Sequence, residues 1–548
     1  MRSPDHDALL LSTVDQQLGD PLCSRTYGFL LANGESSLMD IATHLAAADA
    51  PSGGGPPVLA QEVRSTVATL LRHEYIRLSD PSLNGAATAT YAVHPFNTYL
   101  RRLIPLFVTL IAQKYGDVGY VAATALYEYS CLPIETLESR VLQLRPELQP
   151  QCAGKVQLMC NDGLLTPAAG GAVVTSKREL PSDSTQPPLD KRSRKSDAAP
   201  APSPRLLGMQ LYCLNFAPLL WQLRADFVLR YIDRRYPGDA VPQLWETMLE
   251  FDANRSTRAV EGRGVKGYQR LPEQSAAVSE ARLIRQLMTS GGIPQSSAIA
   301  AISSMRYPAT FVGVMRLSRV EHGNLIGAVT HRQPLLTRAT STSGDVLEDT
   351  VAISYDTVLA EMRAEHAEEL VRARHGVLGV RLMKLLHERG PMEDRFLAEE
   401  ALVAQTDVRT TLNNMLRDAY VTLMELPRVA YSVERSTRNS VFLWCLSSDG
   451  ILRAIRAHTV KLCLTVCGRI AAERRAIEAV MPALYFGATS RGGPSACGNG
   501  NADGRREEGS VALSASQITA LSNYDAAIDA LNRCYTTLLE RIALLEIL

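Results

Sequence analysis

The chain carries no net charge, with Lys plus Arg and Asp plus Glu both at 57 in 548 residues. Without a global field to draw it onto DNA or a membrane, any nucleic-acid affinity must come from local patches, which disfavours a dedicated high-affinity DNA binder. A long apolar run is also missing. The longest, Leu103 to Ala112, is broken by Pro105 and reaches about half the length that a membrane-spanning helix needs, so a soluble chain without membrane contact is expected. The start, MRSPDHDALLLSTV, is acidic where a signal peptide is basic and lacks its apolar core, which predicts no secretion. The 10 cysteines are scattered, and several fall on helix or strand faces where Cys behaves as a small hydrophobe; the usage fits a reduced, intracellular protein.

Catalytic motifs are missing as well: there is no Walker loop, zinc-protease helix or nucleophile elbow. Gly262-Arg-Gly264-Val-Lys-Gly267 has the letters of a dinucleotide fingerprint, but polar NRSTRAVE precedes it and LPEQ follows, where a strand and a helix are required. Cys463 and Cys467 stand four apart on a predicted helix with no second ligand pair at metal spacing, which argues against zinc. His366 and His375 read as surface residues of a charged helix. No catalytic set, metal, cofactor or small-molecule substrate is therefore expected, and a binding or scaffolding function is left.

What is present centres on Val377 to Leu446. Val377, Leu378, Leu382, Leu385 and Leu386 recur at helical spacing, and Gly390-Pro391 closes that helix. A second helix carries Phe396, Leu397, Ala401 and Ala404. Thr406 and Asp407 can cap a third, with Val408, Leu412, Met415, Leu416 and Ala419 on one face. The period then becomes extended, with one strand over Tyr420 to Leu426 and another over Val441 to Leu446; the second is apolar on both sides and so should be covered on both. Three helices and a hairpin with a long loop, 427 to 439, make a winged helix whose third helix is the recognition element. The candidate DNA contacts are Arg409, Asn413 and Arg417 on that helix and Arg428, Arg435 and Arg438 in the loop, where three Arg face Glu434 alone.

The unit is predicted to repeat. A short strand feeds a helix ending at an aromatic or His beside Gly in Tyr91 to Tyr115-Gly116, Tyr212 to Tyr236-Pro-Gly238 and Val351 to His375-Gly376, with a span of 24 residues each time. The predicted fold is mainly α with small β-hairpins: four tandem, extended winged-helix domains followed by a C-terminal helical hairpin or coiled coil. The first is 1–94, with helices from Leu9, at Leu38 to Ala48 and at Gln61 to Glu74, and a hairpin of Tyr75 to Leu78 with Thr90 to Val93. Its third helix should turn Val63, Val67, Leu70 and Leu71 inward and leave Arg64, Thr66, Arg72 and His73 outward, with Arg64 and Arg72 as candidate phosphate contacts. The second is 95–179, with a short hairpin of 163–166 and 172–175; Arg101, Arg102 and Lys114 read as a solvated face. The third, 206–356, carries insertions, a strand at 310–317 and a partner strand at either 325–329 or 351–354, the second favoured by the 24-residue repeat. The fourth is 357–446.

Residues 180–205 lack any apolar period and should form a disordered linker, in which Lys191, Arg192, Arg194 and Lys195 are a candidate nuclear-import cluster. The last segment, 447–548, holds a helix from Ile451, a Gly-rich loop at 487–510 and a heptad. Leu521, Ile528, Tyr535 and Ile542 take one position and Tyr524, Leu531, Leu538 and Leu545 the other, an exposed candidate partner interface.

LRDAYVTLMELPR, a loop and SVFLWCL, preceded by a long helix ending at HG, resemble the fourth winged helix of the large winged-helix subunit specific to RNA polymerase III. YAVHPFNTYLRRLIPLFVTLIAQKYGDVG is similar to that family's junction of first and second winged helices, and the C-terminal heptads are similar to its coiled coil. The resemblance implies a nuclear, non-catalytic polymerase subunit that acts with two smaller partner subunits, initiation factor and promoter DNA in transcribing tRNA and other small RNA genes. The large subunit of general transcription factor E has a similar winged helix but typically adds a zinc ribbon, and this chain has no CxxC pair; winged helices also serve as protein-docking scaffolds without DNA contact.

Overall fold

The computed structural model describes residues 4–48, 60–79, 89–167, 210–238, 240–260, 271–306, 335–337, 349–427, 440–480 and 515–548. They are mostly helical, with small antiparallel sheets. The chain divides into two units, the first of Met1–Leu106, Arg224–Ala253 and Leu271–Leu548, the second of Phe107–Leu223 and Asn254–Arg270.

In the first unit α1 (Pro4–Leu18) and α2 (Pro21–Asn33) are separate helices, where a single opening helix was expected. Gly19 at φ +62 ends α1, and the Asp20 side chain accepts from Leu22 N at 2.9 Å to cap α2, whose first position is Pro21. They pack with α3 (Leu38–Ala48) and α4 (Ala60–Arg72) over a core that includes Leu10, Tyr27, Ile41, Val67 and Leu70. A sheet closes this core, with β3 (Thr90–Val93) between β1 (Ser36–Ser37) and β2 (Ile76–Ser79), Ile76 opposite Val93 and Ser36 opposite Tyr91. On α4, Val63, Val67 and Leu70 are buried as expected, but Thr66, and His73 just past its end, are buried too. The polar set was misjudged because a hydroxyl and an imidazole fit an interior when a neighbour satisfies them; Gln17 Nε2 lies 3.4 Å from His73 Nδ1.

β3 leads straight into α5 (Pro95–Arg102), where Arg101 and Arg102 are buried, which overturns their reading as a solvated face. The second unit contains most of α6 (Ile104–Tyr129), then β4 (Cys131–Pro133), α7 (Ile134–Leu144), α8 (Gln149–Asn161) and β5 (Leu165–Pro167). The strand that pairs with β5 is β6 (Leu211–Leu214), which also pairs with β4; Cys213 faces Thr166 on one side and Cys131 on the other. Among the described residues β5 pairs with β6; the partner strand expected at 172–175 lies outside the described residues. β6 feeds α9 (Phe216–Arg235) as β3 feeds α5.

α10 (Ala240–Val260), which starts in the first unit, continues well past Phe251, where a polar insertion was expected. It is followed by β7 (Val278–Ser279), α11 (Glu280–Ser290), α12 (Gln295–Arg306), β8 (Leu336–Thr337) and β9 (Thr350–Ile353). β9 is again central, pairing Val351 with Val278 and Ile353 with Leu336. The expected strand at 310–317 lies outside the described residues. A buried polar group holds this region: Arg224 stacks 3.6 Å from the Tyr355 ring centroid, Tyr355 Oη donates to Asp252 Oδ2 at 2.7 Å, and Tyr231 Oη donates to Glu361 Oε2 at 3.0 Å.

β9 feeds α13 (Tyr355–Arg389), which is followed by α14 (Asp394–Ala401), α15 (Gln405–Arg417) and the hairpin of β10 (Val421–Pro427) and β11 (Ser440–Leu446). Leu382, Leu386, Leu397, Val408, Leu412, Met415 and Trp444 share one core. Phe396 is exposed rather than core, and Phe442 is exposed toward the hairpin tip, so β11 is covered on both faces only near Trp444 and Cys445. β11 passes into α16 (Ser448–Val480), and α17 (Ala515–Ile542) packs along it. The predicted interface face of α17 is turned toward this chain: Tyr535, Leu538 and Ile542 pack with Leu9, Val460 and Cys463, and Leu545 joins the core around α13. Leu521, Tyr524, Ile528 and Leu531 are half-buried. The terminal turn, Ala543–Ile547, is fixed by Arg363 Nε donating to Leu544 O at 3.2 Å and Arg456 Nη2 donating to Leu545 O at 3.3 Å.

Candidate nucleic-acid interface

The site is built around α15. Val408, Leu412 and Met415 recur at spacings of four and three and are fully buried, which fixes the helix's rotation and turns Arg409, Asn413 and Arg417 to solvent. Asp407 in the first turn and Arg417 in the last complement the helix dipole. Ala404 takes the N-cap position rather than the expected Thr406, with no side-chain cap bond. At the C-terminus Ala419 adopts φ +60, and Tyr420 N donates to Met415 O at 2.9 Å, which turns the chain into β10. The start of α16 presses on this turn. A Cβ at Gly450 would lie 1.8 Å from Ala419 O, so only glycine fits there.

The first helix of the unit is bent to reach the same turn. α13 is interrupted at Gly376, whose φ of 69° and ψ of −167° are outside helical space. The bend presents Arg374 and His375 to Asp418, just past the end of α15: Arg374 Nη1 donates to Asp418 Oδ2 at 3.4 Å, and His375 Nε2 lies 3.1 Å from that oxygen. Burial holds the His375 pKa below its ordinary value although Asp418 pulls it upward. The second unit repeats the arrangement. α6 bends at Gly116, with φ 68° and ψ −154°, and Tyr115 Oη donates to Asp162 Oδ2 at 2.6 Å while Lys114 Nζ lies 2.7 Å from it. Asp162 follows α8 as Asp418 follows α15. Lys114 is thus one arm of a fixed pair and not a free surface charge.

The electrostatics of α15 are mixed. Arg409 Nε donates to the Asp394 carboxylate, which absorbs much of its charge, and α14 adds Glu399 and Glu400, paired with Arg395 and Arg389. Asn413 and Arg417 have no hydrogen-bond or ion-pair partner among the described residues and are the open donors of this face. Arg428, Arg435 and Arg438 lie outside the described residues, as do Lys191, Arg192, Arg194 and Lys195 and the 262–267 glycine motif. On α4, Arg64 and Arg72 are both exposed, on the side opposite Val63, Val67 and Leu70. The structure thus brings Arg409, Asn413 and Arg417 onto one face and keeps Arg64 and Arg72 on another helix. Such donors can contact phosphates. Among the described residues no group of three or more His, Cys, Asp or Glu could hold a metal ion, and no helix is long and apolar enough to cross a membrane.

Three helices, the third presenting its outer face beside a two-stranded hairpin, make this segment a winged helix. Residues 367–446 match the family model described as POLR3C, C-terminal winged-helix domain. Over 129 residues the chain is 26% identical to the DNA-directed RNA polymerase III subunit rpc3 of Aspergillus fumigatus, covering 24% of this chain and 20% of that protein. It is 28% identical over 130 residues to the Ajellomyces capsulatus subunit rpc3 (24% and 19%), and 29% identical over 129 residues to the Coccidioides immitis subunit RPC-3 (24% and 19%). The chain therefore resembles the large winged-helix subunit specific to RNA polymerase III, and the matched stretch spans about a fifth of these relatives' length.

Proposed function

We propose that the chain is a non-catalytic subunit of RNA polymerase III, acting in the nucleus within a polymerase-specific subcomplex. The observation that carries this reading is the match of 367–446 to the subunit's winged helix, in a segment whose helices and hairpin have that architecture. In the same reading, four winged helices stand in tandem, ending on β3, β6, β9 and β11; each of these strands runs directly into a helix, so one domain's last strand delivers the next helical segment. α16 and α17 form the C-terminal helical hairpin. Its partners are the other polymerase subunits, two smaller subcomplex members among them, with initiation factor and promoter DNA.

For the fourth unit we infer a phosphate-contacting role, with Arg417, Asn413 and the 428, 435 and 438 arginines as contacts. Replacing Arg428, Arg435 and Arg438 by Ala in the assembled polymerase is expected to weaken promoter complexes uniformly across sequences and to flatten the salt dependence by up to about three charges. An unchanged salt slope overturns the phosphate role. The pairing of Arg409 with Asp394 and the acidic residues of α14 favour a second reading, in which this face docks protein rather than DNA. Deleting 510–548 is expected to weaken assembly; because Leu538, Ile542 and Leu545 also pack in this chain's own cores, hydrogen exchange of α13 and α16 must be compared alongside.

A further inference from the structure

The end of α5 buries a guanidinium that has no carboxylate beside it. Arg102 is 3% exposed. Its Nη1 donates to Thr13 Oγ1 at 2.8 Å, Ser12 Oγ at 2.9 Å and Leu9 O at 3.4 Å, all on α1. Its Nη2 donates to Cys467 Sγ at 2.9 Å and Cys463 Sγ at 3.5 Å, one turn apart on α16. The Tyr535 ring of α17 lies 5.7 Å away. The oxygens are all neutral, and no carboxylate among the described residues pairs with it. A cation withdrawn from water without a countercharge costs several kcal/mol, and the groups here that could supply a negative charge are the two thiols and the phenol. The closer sulfur, 2.9 Å from Nη2, is in direct hydrogen-bond contact with the guanidinium.

We infer that Cys467 is held as a thiolate paired with Arg102, and that it is a site of covalent modification by small soft electrophiles, hydrogen peroxide being the class of oxidant. Cys467 is half-buried, while Cys463 is fully buried. The groups facing Cys467 are neutral Gln16 on α1, Arg102 on α5 and Cys463 on its own helix, with Tyr535 of α17 beside Arg102. The thiol of Cys463 donates to Cys467 and, with the Arg102 charge and Gln16, brings its pKa down to about 6 against the opposing effect of burial. The same contact and burial push Cys463 up, so one charge is shared unequally by the pair.

With peroxide, the Cys467 sulfur attacks one oxygen, an S–O bond forms and the O–O bond breaks. Sulfur is oxidised by two electrons, and the departing hydroxide takes a proton from solvent to leave as water. The product is a sulfenic acid. Residues four apart on a helix hold their Cβ atoms about 5–6 Å apart, beyond the roughly 3.5–4.5 Å of a disulfide, so Cys463 does not close a bridge onto it without unwinding α16. Loss of the thiolate strips Arg102 of its countercharge at the point where α1, α5, α16 and α17 meet.

The test is alkylation of the intact chain with iodoacetamide between about pH 5.5 and 9, followed by quantifying each cysteine by mass spectrometry. The Cys467 rate is expected to reach half its plateau near pH 6, well below the ordinary thiol value of about 8.5, and Arg102→Gln is expected to raise that midpoint by a unit or more. After peroxide, dimedone should label Cys467. A Cys467 profile coincident with that of Cys534 overturns the proposal, as does labelling of Cys534 at neutral pH with Cys467 untouched. The unmutated chain decides these outcomes even if Arg102→Gln does not fold.

Discussion

Replacing Gly376 by Ala separates two accounts of the long α13 helix by the sign of its effect. If the bend is imposed by the Arg374, His375 and Asp418 contacts and by the packing of Leu382 and Leu386, the alanine must adopt φ 69° and ψ −167°, a region that only glycine occupies without strain. No heavy atom lies within 4 Å of the Cβ it would add, so nothing but the backbone changes, and the cost is about 1–3 kcal/mol. If α13 were free to run straight, the same substitution would instead favour the helix by about 1 kcal/mol. Hydrogen exchange of the α14 and α15 peptides reads the difference. A destabilised unit opens roughly five- to 150-fold more often, whereas slower exchange in the variant refutes the bend as a held feature. Gly116→Ala in α6 provides the matched case, with φ 68° and again nothing near its Cβ, and the same sign is expected there.

Leu412→Ala empties a fully buried position of the winged-helix core and is expected to cost about 2–5 kcal/mol, seen as loss of protection across α15 and β10. Gly450→Ala drives a Cβ to 1.8 Å from the Ala419 carbonyl oxygen and should loosen the α15–β10 turn, measurable as faster exchange of the Tyr420 amide. His73, 5% exposed, has its pKa lowered to about 4 by burial and by the charges of Arg101 and Arg72. A lowered imidazole means that the unfolded chain binds the proton first, so stability is intact above the ordinary value of 6.5 and is lost as pH falls from there toward about 4, by about 3 kcal/mol in all. A pH series of urea unfolding on the full chain should show that loss, and His73→Gln should reduce it; an unchanged pH slope in the variant removes His73 as its source.

The elements with a clean apolar period were legible in the sequence. α15 and its inward Val408, Leu412 and Met415, the β10–β11 pair and the α16 and α17 helices all follow from spacing, because a buried stripe must recur at the helix or strand period. Strand pairing across long connections was not legible. β5 waits for β6 beyond 168–209, and β8 is only two residues long, too short for any period to register. Charges that fold inward were missed for a related reason. Arg101 and Arg102 look like a surface pair in the sequence, and only the arrival of α1 and α16 shows that hydroxyls and thiols receive the second of them. The bends did leave a trace, Lys114-Tyr-Gly-Asp-Val-Gly119 beside Arg374-His-Gly-Val-Leu-Gly379, in which the later glycine is needed because a Cβ at 379 would lie 2.5 Å from that of His375. Their acidic partners, Asp162 and Asp418, stand 47 and 43 residues on from the aromatic or His that each receives, beyond the reach of a local pattern.

Membership in RNA polymerase III is tested by purifying the tagged chain from its own cells under gentle salt. Recovery of the large catalytic subunits of RNA polymerase III in stoichiometric amounts, from the nuclear fraction, is expected. Recovery of the chain with other partners, and without those subunits, would contradict it.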